Sequence, residues 1–414
     1  MTQKRLKAIR KRLDRFLKRF DGCIRTRPSR KHLRTYVGGQ IGSLPRKSVE
    51  PIALEAGVPP RSLQEFLSLH KWDEEAIRRR VQEVVAEEHA DPDAVAVIDE
   101  TSFAKKGRET TGVQRQYCGS TGKTDNCVVT VHLGYATEDF HALVDGDIYL
   151  PRQTWAEAPE RRRKTGVPDD VIFREKWRIG LDLLDRTIAG GVVFRFLAAD
   201  EFYGRSIEFR RGVAAHDLVY VVEVPCSMTG WTRRPATVGP EDYSGSGPRR
   251  KRRTLSPKAP APRRVDALWK TGGPPWEFYH IKETQKGPVV WEVRAGRFFP
   301  WEDRSHGEEG RLIVARNVLD GEVKYFLSNA AKDVPLTTLL RVAFSRWRIE
   351  RLFEDGKSEI GMDHFEVRRY GAIQRHLILS MVSLLFLVKE TDRLRGEKSL
   401  VDCVAGGARP ERAA

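Results

Sequence analysis

Two aspartates and one glutamate are the residues of this sequence best placed to do chemistry. Asp99 closes the β-branched run AVAVID, and Asp200 closes the run VVFRFLAAD, so both are expected at the ends of core strands. Carboxylates at strand ends lie at the open edge of a sheet, where ligand sites form in α/β architectures. Two such carboxylates and a third from a helix could hold two Mg²⁺ ions, which prefer oxygen ligands and promote displacement at phosphorus.

The candidate third carboxylate lies in the stretch RWRIERLFEDGK, residues 346–357. At about 100° per residue, Arg346, Glu350, Glu354 and Lys357 share one stripe of a predicted helix. A neighbouring apolar stripe is expected to face the core: Val342, Ile349, Leu352, Phe353 and Ile360. The like-charged Glu350 and Glu354 disfavour the helix by a few tenths of a kcal/mol. The polar stripe is therefore either an unoptimised surface or a site that needs a carboxylate between cations.

The charge of the chain favours a polyanionic partner. The 414 residues carry a formal net charge of +16, which points most simply to nucleic acid, although a basic chain can also bind a membrane surface. The stretch 244–264 is rich in Gly, Ser, Pro and positive charge, and it is predicted to be a flexible basic loop. Its basic run would add phosphate affinity without sequence preference: Arg249, Arg250, Lys251, Arg252 and Arg253.

The cysteines and apolar segments indicate a cytoplasmic protein. Five scattered cysteines form no CxxC pair, so neither a zinc site nor a disulfide framework is expected. The basic N-terminus has no apolar core of a secretory signal. The apolar run 376–388 is too short to span a bilayer and is predicted to be a buried helix, so no membrane partner is expected.

The periodicity of the sequence predicts a helical region followed by a mixed α/β core. Residues 1 to about 90 show helical spacing, and a Gly-Val-Pro-Pro turn joins two short helices, as in a helix-turn-helix or in generic helix packing. The spacing predicts three consecutive antiparallel strands next. A helix (173–191), a strand (192–200), a short helix and a strand (217–224) are predicted to follow. Further strand-like runs predict a β-rich insertion at about 225–330.

The segments around the three carboxylates resemble the catalytic blocks of a bacterial insertion-sequence DDE transposase family with an RNase H-like core (the DDE superfamily endonucleases). The first block is residues 97–133, the second 197–206 and the third 345–370, and the resemblance runs in order from about 30 to 390. It implies an α/β fold in which an RNase H-like catalytic core carries an N-terminal all-α domain and a β-rich insertion.

The resemblance also implies a domain plan. A helical DNA-binding domain would occupy residues 1–90, and the first part of the RNase H-like core would occupy 91–225. The basic loop and β-rich insertion would follow at 226–332, and the C-terminal core helices with Glu350 at 333–395. Residues 396–414 would form a flexible tail.

Carried over residue by residue, Asp99, Asp200 and Glu350 match the metal-binding DDE triad, with Mg²⁺ as the cofactor and Mn²⁺ as an accepted substitute. Arg346, Glu350 and Lys357 match the Arg, Glu and Lys of the Tyr-x2-Arg-x3-Glu-x6-Lys signature of related transposases. Ala343 stands at the tyrosine position, which puts any hydroxyl-dependent role there in doubt.

Several further side chains are candidates for DNA contact. Arg346 and Lys357 would grip phosphates beside the scissile bond, since guanidinium suits bidentate contact and ammonium acts as a point charge. Trp347 would be either a core side chain, the preferred interpretation, or a stacking surface for an unstacked base. Lys105 and Lys106 would touch DNA or form a solvated turn.

The remaining polar candidates are given smaller roles. Arg115, Gln116 and Tyr117 would organise the loop after them by bonding backbone or DNA. Glu100 follows Asp99 where a second aspartate is expected, so an acidic neighbour is kept. Four histidines lack ligand spacing and are interpreted as structural: His132, His141, His216 and His364.

The resemblance implies a transposase that binds terminal inverted repeats, cleaves the element ends and joins the 3′-hydroxyls to target DNA. The geometry of that reaction calls for a homodimer that holds two ends in one synaptic complex, acting on double-stranded DNA in the bacterial cytoplasm, at the nucleoid. Two rivals stay open. One is a catalytically inactive or domesticated DNA-binding repressor, and the other is an RNase H-like nuclease or resolvase that cuts without joining.

Overall fold

The protein has a mixed α/β structure, as the sequence predicts. The computed structural model describes residues 3–242, 251–284 and 287–406. The chain forms two compact units. The first unit comprises Met1–Asp91, Asp99–Val193 and Arg348–Ala414, and the second comprises Pro92–Ile98 and Phe194–Trp347.

The first unit begins with five helices, as the helical spacing of the N-terminal sequence predicts. They are α1 (Gln3–Lys18), α2 (Arg27–Ile41), α3 (Val49–Glu55), α4 (Pro60–Ser68) and α5 (Glu74–Glu88). Asp73 caps α5 by accepting a hydrogen bond from the Ala76 N–H at 2.9 Å. Helices α3 and α4 pack on each other and on α2, with Gly57 at φ 63° in the turn between them. This arrangement occurs both in a helix-turn-helix and in generic helix packing, so it does not distinguish between them.

The strands of the first unit follow these helices. They are the later part of β1 (Val95–Ala104), β2 (Gln114–Cys118), β3 (Lys123–Ala136) and β4 (His141–Ile148), with α6 (Pro159–Thr165) and α7 (Lys176–Ala189) after them. Strand β3 neighbours β1 and pairs antiparallel with β2 and β4. Arg115, Gln116 and Tyr117, which are expected to organise the loop after them by bonding backbone or DNA, form β2, and Gln116 Nε2 donates to the Cys127 carbonyl at 3.1 Å. Their polar sequence gives little strand propensity, and pairing with β3 supplies the missing stabilisation.

Two C-terminal helices complete the first unit: α11 (Trp347–Ile360), which enters this unit at Arg348, and α12 (Tyr370–Gly406). In the predicted apolar stripe, Ile349, Leu352 and Phe353 are all less than 9% exposed, which confirms its core-facing position. Ile349 packs over Gly134 of β3, where an added Cβ would lie 3.4 Å from its side chain. In the described part of the chain, one helical segment, residues 370–395, is long and apolar enough to cross a membrane. However, 78% of its most apolar 18-residue stretch is buried inside the protein, as expected of a core helix.

The second unit is built on a sheet that joins parallel and antiparallel strands. Residues Val95–Ile98 of β1 pair in parallel with β5 (Phe196–Ala199), which pairs in parallel with β6 (Val219–Glu223). Beyond β6 the order is β15 (Val323–Ser328), β14 (Gly310–Asn317), β12 (Gly287–Glu302), β7 (Thr229–Trp231) and β10 (Arg263–Arg264), and these strands pair antiparallel. Strand β5 starts later than the predicted run 192–200.

The remaining strands of the second unit lie where the sequence predicts β-rich structure. They are β7 (Thr229–Trp231), β8 (Thr237–Val238), β9 (Thr254–Leu255), β10 (Arg263–Arg264), β11 (Glu277–Thr284), β12 (Gly287–Glu302), β13 (Ser305–His306), β14 (Gly310–Asn317) and β15 (Val323–Ser328). Strands β11 and β13 pair with β12, and β8 pairs with β9. The helices of this unit are α8 (Glu201–Gly204), α9 (Ile207–Ala214) and α10 (Leu336–Ala343).

The segment 361–369 between α11 and α12, here called the elbow, is held by side chains from distant parts of the first unit. Lys105 Nζ donates hydrogen bonds to the carbonyls of Asp363 at 3.2 Å and Phe365 at 2.7 Å. Thr111 donates from its N–H and its hydroxyl to the Arg368 carbonyl, at 3.0 and 2.8 Å. The elbow therefore depends on the chain that follows β1, although more than 250 residues separate them.

His376 of α12 fixes the start of the elbow. Its Nε2 donates to the Met362 carbonyl at 2.9 Å, because a carbonyl can only accept, and its Nδ1 therefore accepts from the Tyr36 hydroxyl at 2.8 Å. Burial lowers the pKa of His376 to about 4. His132 on β3 is fully buried as well, and burial lowers the pKa of its imidazole to about 3. Both rings are therefore neutral in the folded protein near pH 7.

We expect Lys105→Met to destabilise the first unit by about 1–3 kcal/mol, because two part-buried carbonyls lose a charged donor. Urea unfolding followed by circular dichroism measures this change. The matched control is Lys106→Met, one residue along on an exposed side chain, with an expected change within about 0.5 kcal/mol. Equal stability of the two variants would contradict the role given to Lys105.

We expect the stability of the protein to fall as the pH drops below about 6.5. The unfolded chain binds protons at His132 and His376 in this range, whereas the folded pKa values of about 3 and 4 keep both rings neutral. Unfolding midpoints at pH 7.5 and pH 5 measure the loss. His132→Phe should reduce the difference between the two midpoints, with exposed His280→Phe as the control. An unchanged difference in His132→Phe would count against this explanation.

Candidate functional site

The two aspartates follow a pair of parallel strands in register. Ile98 of β1 is the partner of Ala199 of β5. Asp99 directly follows Ile98, and Asp200 directly follows Ala199. The prediction that Asp200 closes a strand is confirmed, because β5 ends at Ala199. For Asp99 it is wrong, since β1 continues to Ala104 beside β3. The pairing with β5 ends before Asp99, whereas the strand itself does not.

Local hydrogen bonds orient both aspartate side chains. Asp99 is 7% exposed, and its Oδ1 accepts the Glu100 N–H at 2.8 Å. Asp200 is the N-cap of α8, and its Oδ1 accepts the Tyr203 N–H at 3.3 Å. A capping aspartate at the end of a strand is both a common structural feature and a well-oriented oxygen donor. The structure shows Asp200 in the capping role.

Glu100, the acidic neighbour of Asp99, is held by a lysine that the sequence does not single out. Its Oε1 accepts a hydrogen bond from Lys176 Nζ at 2.7 Å, and the lysine comes from the first residue of α7. The side chains of neighbouring strand residues point to opposite faces, so those of Glu100 and Asp99 lie in different surroundings. Glu100 and Lys176 lie 76 positions apart, which hides this ion pair from any local pattern.

Glu350 is exposed and lies in the first turn of α11. The helix is seated on β3 by Ile349 over Gly134 and by Phe353, whose ring meets His132 at 5.4 Å in a T-shaped contact. Arg346 directly precedes α11. It lies in the 3-10 turn Phe344–Arg346, where the chain tightens after α10.

Lys357 and Trp347 differ in their surroundings. Lys357 Nζ lies 5.8 Å from the centroid of the Phe103 ring on β1, and burial lowers its pKa. Trp347 is 40% exposed, so the preferred interpretation of it as a core side chain is wrong. Lys282 Nζ lies 4.7 Å from the centroid of its indole, a cation–π contact that leaves part of the ring accessible.

Lys105 and Lys106, the two lysines after β1, also differ in their surroundings. The solvated-turn interpretation is wrong for Lys105, because the elbow carbonyls hold its ammonium and it lies 3.4 Å from the Phe365 ring centroid. Burial lowers the pKa of Lys105 to about 8. Two of the three N–H donors of its ammonium are thus used inside the protein, which argues against the expected DNA contact. Lys106 is exposed.

The basic loop is described only in part. Arg249 and Arg250 lie outside the described residues. Lys251, Arg252 and Arg253 are exposed, and Arg253 forms an ion pair with Glu241 and donates to the Thr237 hydroxyl at 3.0 Å. Their exposure makes all three side chains accessible to a polyanion. Arg253 would have to exchange its ion pair with Glu241 for such a contact.

The carboxylate oxygens of Asp99, Asp200 and Glu350 are the donors that Mg²⁺ prefers. Across residues 3–242, 251–284 and 287–406, no group of three or more His, Cys, Asp or Glu side chains is arranged to hold a metal ion. The donor chemistry therefore fits a divalent ion, whereas the arrangement does not gather three ligands. His364 accepts the Lys47 N–H at 3.0 Å, in keeping with the structural role expected of the histidines.

Comparisons with known proteins agree with the resemblance seen in the sequence blocks. The family model described as "DDE superfamily endonuclease" matches residues 19–288. This range includes Asp99 and Asp200, whereas Glu350 lies beyond it. A curated relative, "Probable transposase for insertion sequence element IS701" of Microchaete diplosiphon, is 32% identical over 171 residues. The match covers 41% of each chain, so this chain spans about two fifths of the length of that relative.

Among solved structures, the NurA nuclease from Sulfolobus solfataricus is similar at 10% sequence identity, with 69% of this chain and 92% of that chain covered. The TM-score of 0.23 is too low for this likeness to carry an argument. The match to the family model, in contrast, extends over well more than half of the 414 residues. By that match, the chain belongs to the DDE superfamily endonucleases.

Proposed function

We propose that this protein is the DNA transposase of an insertion sequence, with an RNase H-like catalytic core. It binds the terminal inverted repeats, cleaves phosphodiester bonds at the element ends and joins the 3′-hydroxyls to target DNA. The observation that carries the proposal is the register of β1 and β5. In a chain of this endonuclease family, the paired residues Ile98 and Ala199 directly precede the two aspartates of the matching sequence blocks.

Asp99, Asp200 and Glu350 are the proposed ligands of two divalent ions, Mg²⁺ or in its place Mn²⁺. Bound at these carboxylates, the ions would supply charge stabilisation for in-line displacement at phosphorus. The Tyr203 N–H holds one oxygen of Asp200, which fixes the plane of that carboxylate. Glu350 reaches the surface from a helix whose buried side is fixed on β3. Cleavage uses water as the nucleophile, and joining uses the 3′-hydroxyl of the element end.

The proposed DNA contacts use side chains near these carboxylates in the sequence blocks. Arg346 and Lys357 pair with phosphates, and the accessible ring of Trp347 offers a stacking surface for an unstacked base. Lys106 and the basic loop add affinity without sequence preference. Lys105 is left out of this set because its ammonium is bound to the elbow carbonyls.

The partner and compartment follow from the same chemistry. A net charge of +16 suits double-stranded DNA, and helices α1–α5 are proposed as the DNA-binding domain. Two element ends must be held together for joining, so the active assembly is proposed to be a homodimer in a bacterial cytoplasm, at the nucleoid. The rivals are a catalytically inactive repressor and a nuclease or resolvase.

We expect Glu350→Gln to retain binding to the element ends and to lose cleavage on the order of 10³-fold or more, because the amide keeps the shape of the side chain and loses its charge. The assay is Mg²⁺-dependent cleavage of labelled DNA that carries the inverted repeats flanking the gene. Glu354→Gln is the matched control, since Glu354 is exposed one turn further along α11 and should leave cleavage unchanged. Normal cleavage by Glu350→Gln would refute the assignment of the third carboxylate.

The same assay with a second plasmid as target separates the three candidate functions. Wild-type protein should cut at the repeat tips and produce joined DNA, and Asp200→Asn should do neither. Binding without cutting by the wild type would favour the repressor. Cutting without joining would favour the nuclease or resolvase.

A further inference from the structure

A two-stranded ribbon follows the strand that carries Asp99. It is formed by β2 and by residues 123–127 of β3, paired from Gln114↔Cys127 to Cys118↔Lys123. The turn between the strands is closed by the N–H groups of Thr121 and Gly122, which donate to the Cys118 carbonyl at 3.0 and 2.9 Å. Strand β2 was not predicted from the sequence, and the proposed catalytic residues do not include any member of the ribbon.

One face of the ribbon is anchored in the first unit. Cys118 and Cys127 are fully buried in a cluster with Val129, against which Tyr149 packs. The Trp155 indole N–H donates to the Val113 carbonyl at 2.7 Å, just before β2 begins. Gln116 Nε2 donates to the Cys127 carbonyl at 3.1 Å. These contacts make the ribbon a fixed platform.

The opposite face is exposed and carries a guanidinium beside an aromatic ring. Arg115 and Tyr117 alternate with the buried side and are both exposed, Tyr117 by 68%. Their cross-strand partners are Asn126 and Thr124. In the part of the chain that the structure describes, neither the Arg115 guanidinium nor the Tyr117 ring and hydroxyl has a side-chain partner. An exposed aromatic ring of this size next to a cation is the pairing that nucleic-acid surfaces use.

The surroundings of this face are positively charged. Asn126 Nδ2 donates to the Gly107 carbonyl at 2.8 Å, and the Lys105 N–H donates to the Asn126 carbonyl at 2.8 Å. These bonds hold the segment with the exposed Lys106 and Arg108 against the ribbon. The acidic side chain of that segment, Glu109, is neutralised by an ion pair with Lys164.

The ribbon also lies within reach of the proposed cleavage site. Six residues separate Asp99 from Lys105, whose N–H meets Asn126. At about 3.3 Å per residue, this is roughly 20 Å along the strand. A DNA duplex rises about 3.4 Å per base pair, so the face would meet DNA within about six base pairs of the bond that is cut.

We propose that the outward face of the ribbon, formed by Arg115, Tyr117, Thr124 and Asn126, is a contact surface for the backbone of the DNA substrate. Arg115 pairs with a phosphate, and the Tyr117 ring lies against the neighbouring sugar. Thr124 and Asn126 shape the floor between them. This surface rests on the proposed function, because it assumes that DNA is bound beside Asp99. It adds a positioning surface outside the carboxylates and outside the basic loop.

The test compares wild type, Arg115→Ala, Tyr117→Ala and Arg178→Ala by fluorescence anisotropy, using a duplex that carries the element end and an unrelated duplex at several salt concentrations. Arg178 is an exposed arginine on α7, so its variant removes the same charge elsewhere on the first unit. Arg115→Ala should weaken binding of both duplexes about tenfold and reduce the magnitude of the salt slope by about 0.9, the value for one phosphate contact. Tyr117→Ala should weaken binding about threefold to tenfold, and Tyr117→Phe should restore it.

The outcomes separate failure of the ribbon proposal from failure of the proposed function. If wild type binds and cuts the element end but both ribbon variants match Arg178→Ala, the ribbon is not a DNA surface. If the variants keep wild-type affinity but change from dimer to monomer in sedimentation, the face contacts a second copy of the chain, and the DNA assignment is overturned. If wild type neither binds nor cuts DNA, the proposed function itself fails. Thermal melts identify any variant that is misfolded, and Arg115→Lys then replaces Arg115→Ala, with a partial loss of affinity expected.

Discussion

The parallel pairing of β1 with β5 is the constraint on which the candidate site depends. Four residue pairs, Val95↔Phe196 to Ile98↔Ala199, fix the register. Because side chains alternate along a strand, a slip by one residue would move every following side chain to the other face. Parallel neighbours also require a long crossover, here the chain between β1 and β5, which contains β2 to β4, α6 and α7. The register of these strands thus determines the positions from which Asp99 and Asp200 follow their paired residues.

Burial decides which basic residues are available to a polyanion. The chain has 73 lysines and arginines, and composition treats them alike. Lys105 and Lys106 are neighbours, yet one donates to the elbow carbonyls and the other is exposed. Taking an ammonium out of water is costly unless hydrogen bonds replace the lost hydration, and the carbonyls of Asp363 and Phe365 supply them. A lysine of this kind stabilises the fold and keeps at most one of its three N–H donors for DNA.

The same principle explains how α11 is placed. Its apolar side lies on β3, where Gly134 lets Ile349 approach the backbone and Phe353 meets the neutral ring of His132. The elbow then fixes the far end of the helix through Lys105 and His376. The buried side of the helix and the elbow set the direction of the first turn of α11, which carries Glu350. The exposed face of the ribbon depends in a similar way on the burial of Cys118 and Cys127.

The sequence by itself determined the mixed α/β class, the helical N-terminal region, the apolar stripe of α11 and the resemblance of three blocks to the DDE superfamily endonucleases. These features are local, because periodicity and block spacing are properties of neighbouring residues. Only the tertiary structure decided that QRQYC is a strand, that Arg346 precedes α11, that Trp347 is exposed and that Lys105 is bound to the elbow. Each of these depends on partners far along the chain, whose burial and hydrogen bonds override what the local sequence favours.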